Sequence, residues 1–173
     1  FRTAIHRLIL LIYHRSVYFH HQEQTCRIRI VNARTGTDYG GIGMETVLLT
    51  SGFYEPELSA VRERWHVIDI SSQREALEIL RTMSEPPAAV CIGRAVAAGD
   101  DLDAWAMLKA VRALLPRVPV IVSTAENTPK VIVDLVRKGA FDYVVEPRLR
   151  DRDKPDEVER FVAEFLHSLS RAV

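Results

Sequence analysis

The sequence predicts an α/β fold built on a parallel β-sheet, and three observations carry the prediction. From Met44 onward, short apolar runs alternate five times with amphipathic stretches, the pattern of repeated strand–helix units. Residues 118–147, VPVIVSTAENTPKVIVDLVRKGAFDYVVEP, spell out one such unit: strand, hydroxyl-tipped turn, capped helix, glycine stop, strand and proline. Hydrophobic residues make up 47% of the 173 positions, enough to cover both faces of a sheet in a single domain of ordinary size.

The first strand is predicted at Thr46 to Thr50. A helix over about Glu55 to Arg64 follows, placing Leu58, Val61 and Trp65 on one face. His66 to Ile70 forms the second strand. Ser72 with Glu75 three residues on makes a capping box, and Ala76, Leu77, Ile79, Leu80 and Met83 supply the buried stripe of the second helix. The third strand is Ala88 to Ile92, bounded by Pro86 and Pro87. Leu102, Trp105, Leu108, Val111 and Leu115 recur at spacings of three and four, which predicts a third helix from about Asp101 to Leu115, with Pro116 just past its end.

Strand four is expected at Val118 to Ser123, after which Thr128 caps a fourth helix with Pro129 in its first turn. Gly139 is the residue able to stop that helix in a left-handed conformation. Phe141 to Val145 is the fifth strand. The last helix, Pro155 to Ser170, gathers Val158, Phe161, Val162, Phe165, Leu166 and Leu169 on one side, with acidic residues near its start. Right-handed crossovers put helices on both faces of the sheet.

Charge separates this region from what precedes it. Residues 1–43 carry six Arg against Glu23 and Asp38, while residues 44–173 carry an acidic excess that brings the whole chain to zero. The segment 40–43, GGIG, reads as a flexible junction. We expect residues 1–43 to be an N-terminal extension, disordered, a tag or upstream non-native sequence, with Met44 as the true start and 44–173 as the folded domain. The uninterrupted apolar run Leu8 to Tyr13 falls far short of the ~20 residues of a membrane span. No Cys or acidic residue sits at ligand spacing from His6, His14, His20 and His21, so no metal is expected there. Cys91 lies in an apolar run and reads as a buried thiol, and with Cys26 in a very different context no disulfide framework is expected. A reducing cytoplasm fits that usage.

Residues 118–147 resemble the second half of a response-regulator receiver domain, and the first strand with its following turn, TVLLTSGFYEP, resembles the beginning of one. The resemblance implies a CheY-like, flavodoxin-like sheet of order 2-1-3-4-5, with chemistry at the carboxyl ends of the strands. It also implies an acidic Mg²⁺-binding pair after strand one, a phosphoacceptor Asp ending strand three, a hydroxyl ending strand four and a Lys before Pro after strand five. The matching positions here hold Ser51 and Gly52, Gly93, Thr124 and Glu146, and Tyr143 falls at the aromatic switch position. Mg²⁺ needs oxygen ligands, which are usually carboxylates. Aspartyl phosphorylation needs a carboxylate nucleophile with positive charge beside it. Gly93 has no side chain, and Glu146 has the wrong sign.

The chain therefore reads as a degenerate pseudo-receiver, not an enzyme, with no cofactor and no metal. Asp100 and Asp101 offer alternative acids on the loop after strand three, though Asp at a helix start is ordinarily a cap. By the resemblance, a protein partner (a histidine kinase, an output domain or a second copy of the domain) uses the fourth helix, fifth strand and fifth helix. Lys130, Asp134, Arg137, Lys138, Tyr143 and the Arg148–Lys154 loop are the candidate contacts. Other readings are a phosphorylatable receiver using a displaced loop Asp, the regulatory part of a transcription regulator, and a nucleotide- or small-ligand-binding flavodoxin-like domain. No helix-turn-helix or strongly basic face follows residue 150, so direct nucleic-acid binding is not expected, and neither is a membrane.

Overall fold

In the computed structural model, residues 44–50, 53, 55–93, 102–126, 128–147 and 154–173 are described. The five apolar runs form strands β1 (Thr46–Thr50), β2 (His66–Ile70), β3 (Ala89–Ile92), β4 (Val120–Thr124) and β5 (Asp142–Val145). The amphipathic stretches form helices α1 (Glu55–Arg62), α2 (Gln73–Thr82), α3 (Ala104–Leu114), α4 (Pro129–Arg137) and α5 (Pro155–Ala172). All strand pairs are parallel, in the order β2-β1-β3-β4-β5. This is the order the resemblance implied.

Strand alternation sorts the core into two halves. Leu48, Val90, Ile92, Val120 and Val122 pack with Ala76, Leu77 and Leu80 of α2, Met107, Leu108 and Val111 of α3, and Leu135 of α4. Their strand neighbours Val47, Leu49, Ala89, Cys91, Ile121 and Val144 face the other way, onto Leu58 and Val61 of α1 and Phe161, Phe165 and Leu169 of α5. Phe165 is completely buried and stacks with Phe53 at 5.0 Å between ring centroids. Cys91 is also fully buried, and burial pushes its thiol far above the ordinary value. No helix among the described residues is long and apolar enough to cross a membrane.

The caps act as the sequence indicates. Ser72 Oγ accepts from the Glu75 N–H, and Thr128 Oγ1 accepts from the Val131 N–H with Pro129 opening α4. Gly139 ends α4 at a φ of +92°.

Several boundaries differ from expectation. Leu102 has helical spacing but lies outside α3, because Asp103 caps the helix by accepting from the Ala106 N–H at 2.7 Å. Helix α1 stops at Arg62, and Trp65 reaches the core from the turn beyond it, its N–H bonded to the Val61 carbonyl. Strand β4 begins at Val120 rather than Val118: Pro119 has no N–H to give, and the Val118 N–H turns back to the Leu115 carbonyl. Ala88 and Phe141 lie just outside their strands, although the N–H of each still bonds a neighbouring segment. Helix α5 runs on to Ala172, where Ser168 Oγ donates to Asp142 Oδ2 at 2.7 Å and Arg171 Nη1 lies 3.3 Å from the same oxygen. The extension 1–43 lies outside the described residues, as does Cys26.

A Cβ at Gly139 would sit 3.1 Å from Arg112 Nε, on a backbone that L residues rarely adopt. Gly139→Ala is therefore expected to lower unfolding free energy by about 1–2 kcal/mol, measured by urea denaturation.

Candidate functional site

The carboxyl ends of the strands converge where α1 and α2 leave the sheet on opposite faces. Thr50 ends β1, Gly93 follows β3, Thr124 ends β4 and Glu146 follows β5. Main-chain bonds extend the ladder through these tips: the Gly93 N–H donates to the Thr50 carbonyl at 3.0 Å, and the Glu146 N–H to the Thr124 carbonyl at 2.9 Å. Gly93, Thr50 and Glu146 are buried, and Thr124 is half-buried.

Two side-chain connections tie the tips together. Gln73, in the first turn of α2 and 0% exposed, donates through Nε2 to the Gly93 carbonyl at 3.0 Å and accepts from Thr50 Oγ1 at 3.2 Å. A neutral amide thus spans β1 and β3 at the place where the resemblance would put an acidic pocket. On β4 and β5, Ser123 Oγ donates to Glu146 Oε1 at 2.7 Å, and Glu146 is 3% exposed. Thr124 behaves as a turn hydroxyl, accepting from the Glu126 N–H at 3.1 Å. Tyr143 is half-buried and packs against the α2–α3–α4 side of the core.

Gly93, Thr124 and Glu146 therefore do share one edge of the sheet, whereas Ser51, Gly52, Asp100 and Asp101 lie outside the described residues. Sequence reasoning missed Gln73 and Ser123. Gln73 sits three and four residues ahead of Ala76 and Leu77 on the same buried stripe, and Ser123 interrupts an apolar strand; a polar residue at a core position is the signal in both cases. The described part of the edge can seat hydrogen-bonding groups, but it presents no cation at the β5 tip and no carboxylate at the β3 tip. Among the described residues, no group of three or more His, Cys, Asp or Glu is placed to hold a metal ion.

Among the described residues, Asp69 has a shifted titration. Burial raises the carboxyl of Asp69, on edge strand β2, above the usual carboxylate range; Arg62, with Nη2 4.0 Å away, pulls it down, and Glu55 adds to the rise. This half-exposed group lies on the α1 side of β2, one residue before that strand's carboxyl end and opposite Leu49 of β1.

The partner-face residues fall into two groups. Lys130 and Arg137 of α4 are exposed and Asp134 is half-buried. Lys138, just past α4, is exposed as well, and its Nζ lies 3.9 Å from the centroid of the Trp105 ring on α3. Val133 and Val136 of α4 are 45% and 56% exposed. Residues 148–153 of the charged loop lie outside the described residues.

No protein-family model matches the chain. Over 98 residues it is 33% identical to the two-component response regulator ORR1 of Oryza sativa subsp. japonica, and equally to the protein of that name from subsp. indica. That match takes in 55% of this chain and 42% of each relative, so the chain spans less than half the length of the curated relatives it matches. Among solved structures, the chemotaxis protein CheY4 of Vibrio cholerae superposes with a TM-score of 0.57 at 17% identity, over 76% of this chain and all of that one. A two-component response regulator from Clostridium difficile gives 0.53 at 18% identity, over 73% of this chain and 97% of its own. The receiver domain of NtrX from Brucella abortus gives 0.53 at 18% identity, over 72% and 98%. At these identities the structural likeness carries the fold alone, and that fold is the CheY-like receiver.

Two measurements test the geometry. Gln73→Ala strands the Gly93 carbonyl and the Thr50 hydroxyl, and should lower unfolding free energy by about 1–3 kcal/mol in urea titrations. Because Asp69 holds its proton more tightly folded than unfolded, it costs stability as pH rises through its raised pKa and costs nothing below its ordinary one. Asp69→Asn should accordingly be more urea-resistant than the parent at neutral pH, with the difference shrinking on acidification.

Proposed function

We propose that this chain is a signalling module of the two-component response-regulator type that works by protein contact, without aspartyl phosphorylation and without enzymatic activity of its own. The observation that carries this reading is the β3 tip. Gly93 offers no attacking oxygen there, and its carbonyl is taken by the Gln73 amide. Phosphoryl transfer to a carboxylate requires the nucleophile in line with phosphorus and positive charge to offset the transferring group. Glu146 stands where that charge belongs and is bonded to Ser123. A receiver fold similar in sequence to a response regulator supports a protein partner, and a histidine kinase, an output domain or a second copy are the classes this reading admits.

The working face proposed is α4, β5 and α5. Lys130 and Arg137 supply exposed charge on α4, and Val133 and Val136 supply exposed apolar surface beside it. Complementary charges at such a rim set specificity and encounter rate more than total affinity. Tyr143 reads as a half-buried strand aromatic supporting that face from beneath. A cytoplasmic location accompanies this proposal, as does the absence of direct contact with nucleic acid or membrane.

Incubation with Mg²⁺ and a small acyl phosphate, followed by intact-mass measurement, should leave the protein unmodified. A stable acyl-phosphate adduct would overturn the reading, and mapping it to Asp100 or Asp101 would establish the displaced-acid alternative. In quantitative pull-downs from the source cell, Arg137→Glu should reduce the recovery of partners held by the parent by roughly fivefold or more.

A further inference from the structure

We infer that Lys138 and Trp105 form a clamp that sets the pose of α4, making the exposed Lys138 a positioning residue of the proposed partner face. This rests on the reading of that face given above. Helix α4, PKVIVDLVR, has five aliphatic residues in nine, yet Leu135 is its one fully buried side chain. Val133 and Val136 are largely exposed, and Val131 only partly reaches the core. By contrast α3 buries Met107, Leu108 and Val111, and α2 buries Ala76, Leu77 and Leu80 along with Gln73. A nine-residue helix has little stability of its own and depends on packing. With so little apolar surface to hold it, α4 belongs at the low end of local stability in this fold.

Beyond Leu135 and the partly buried Val131, its described attachments lie near its carboxyl end. The Lys138 N–H bonds back into the last turn and the Ala140 N–H to the Leu135 carbonyl, which fixes the turn but not the angle of the helix. Gly139 turns beside the Arg112 side chain, whose Nη1 donates to the Val118 carbonyl at 3.2 Å. The ammonium of Lys138 over the Trp105 ring adds a side-chain contact from the end of α4 to the first turn of α3. A cation over an indole face is attracted by the ring quadrupole, and the aliphatic stem of Lys138 can cover apolar surface on the way there. Removing the charge leaves α4 held by Leu135, the partly buried Val131 and its turn, with more freedom to change angle; the exposed valines and Arg137 would move with it.

The domain carries its own reporter. Of the two tryptophans, Trp65 is only 8% exposed in the opposite half of the core, whereas Trp105 is half-buried under Lys138. Hydrogen exchange by mass spectrometry, acrylamide quenching and the pull-down above should be run on the parent, Lys138→Gln, Lys138→Arg and Arg137→Glu. For Lys138→Gln we expect exchange over residues 129–137 to be roughly two- to fivefold faster, the scale of an exposed cation–π contact, with stronger quenching and unchanged exchange in β1, β3 and α5. Lys138→Arg should restore both readouts. Parental exchange over 129–137 in Lys138→Gln would overturn the clamp. Faster exchange with undiminished partner recovery would overturn its coupling to the face, while recovery in Arg137→Glu separately decides whether that face is used.

Discussion

Every other feature of this domain depends on a sheet that is buried from both sides. Strands β1, β3 and β4 each have a hydrogen-bonded neighbour on either edge, and their side chains alternate into two separate apolar cores. Both faces of these three strands are covered, so the buried polar groups at their tips must find partners within the protein. That requirement accounts for the pairing of the described polar groups at the carboxyl edge. Thr50, Gln73 and the Gly93 carbonyl satisfy one another on the α2 side, and Ser123 meets Glu146 between β4 and β5.

Among the described residues, this edge carries a neutral amide, Gln73, and a single carboxylate, Glu146. An amide offers one acceptor oxygen and two donor hydrogens, and Gln73 turns its oxygen to the Thr50 hydroxyl and its nitrogen to a main-chain carbonyl. Hard divalent cations are held by several oxygens, usually anionic. The arrangement instead ties the ends of β1 and β3 to the start of α2, a rigid junction beside the more loosely held α4.

Much of this was legible in the residues. Apolar runs located all five strands, and cap residues such as Ser72, Thr128 and Gly139 located helix ends because their physics is local. Errors arose where spacing alone set a boundary. Leu102 fits the α3 stripe, but the Asp103 side chain claims the first free N–H groups and starts the helix after it. That Gln73 bridges two strand tips depends on where β1 and β3 end in space, which no local pattern encodes. Lys138 likewise reads as surface charge until α3 and α4 are brought side by side. Glu146 was recognised as the wrong sign for a phosphorylation site, while its bond to Ser123 required the register of β4 against β5.

The buried thiol of Cys91 has a consequence of its own. It lies mid-strand between β1 and β4, wholly inaccessible and held in its protonated, unreactive form by its apolar surroundings. Alkylating reagents and peroxides act on thiolates they can reach, so neither finds a target here while the central strand stays in place. Oxidative stress is consequently invisible to this position in the native state, and its rate of modification becomes a clock for the rarest event in the molecule, the parting of the middle of the sheet.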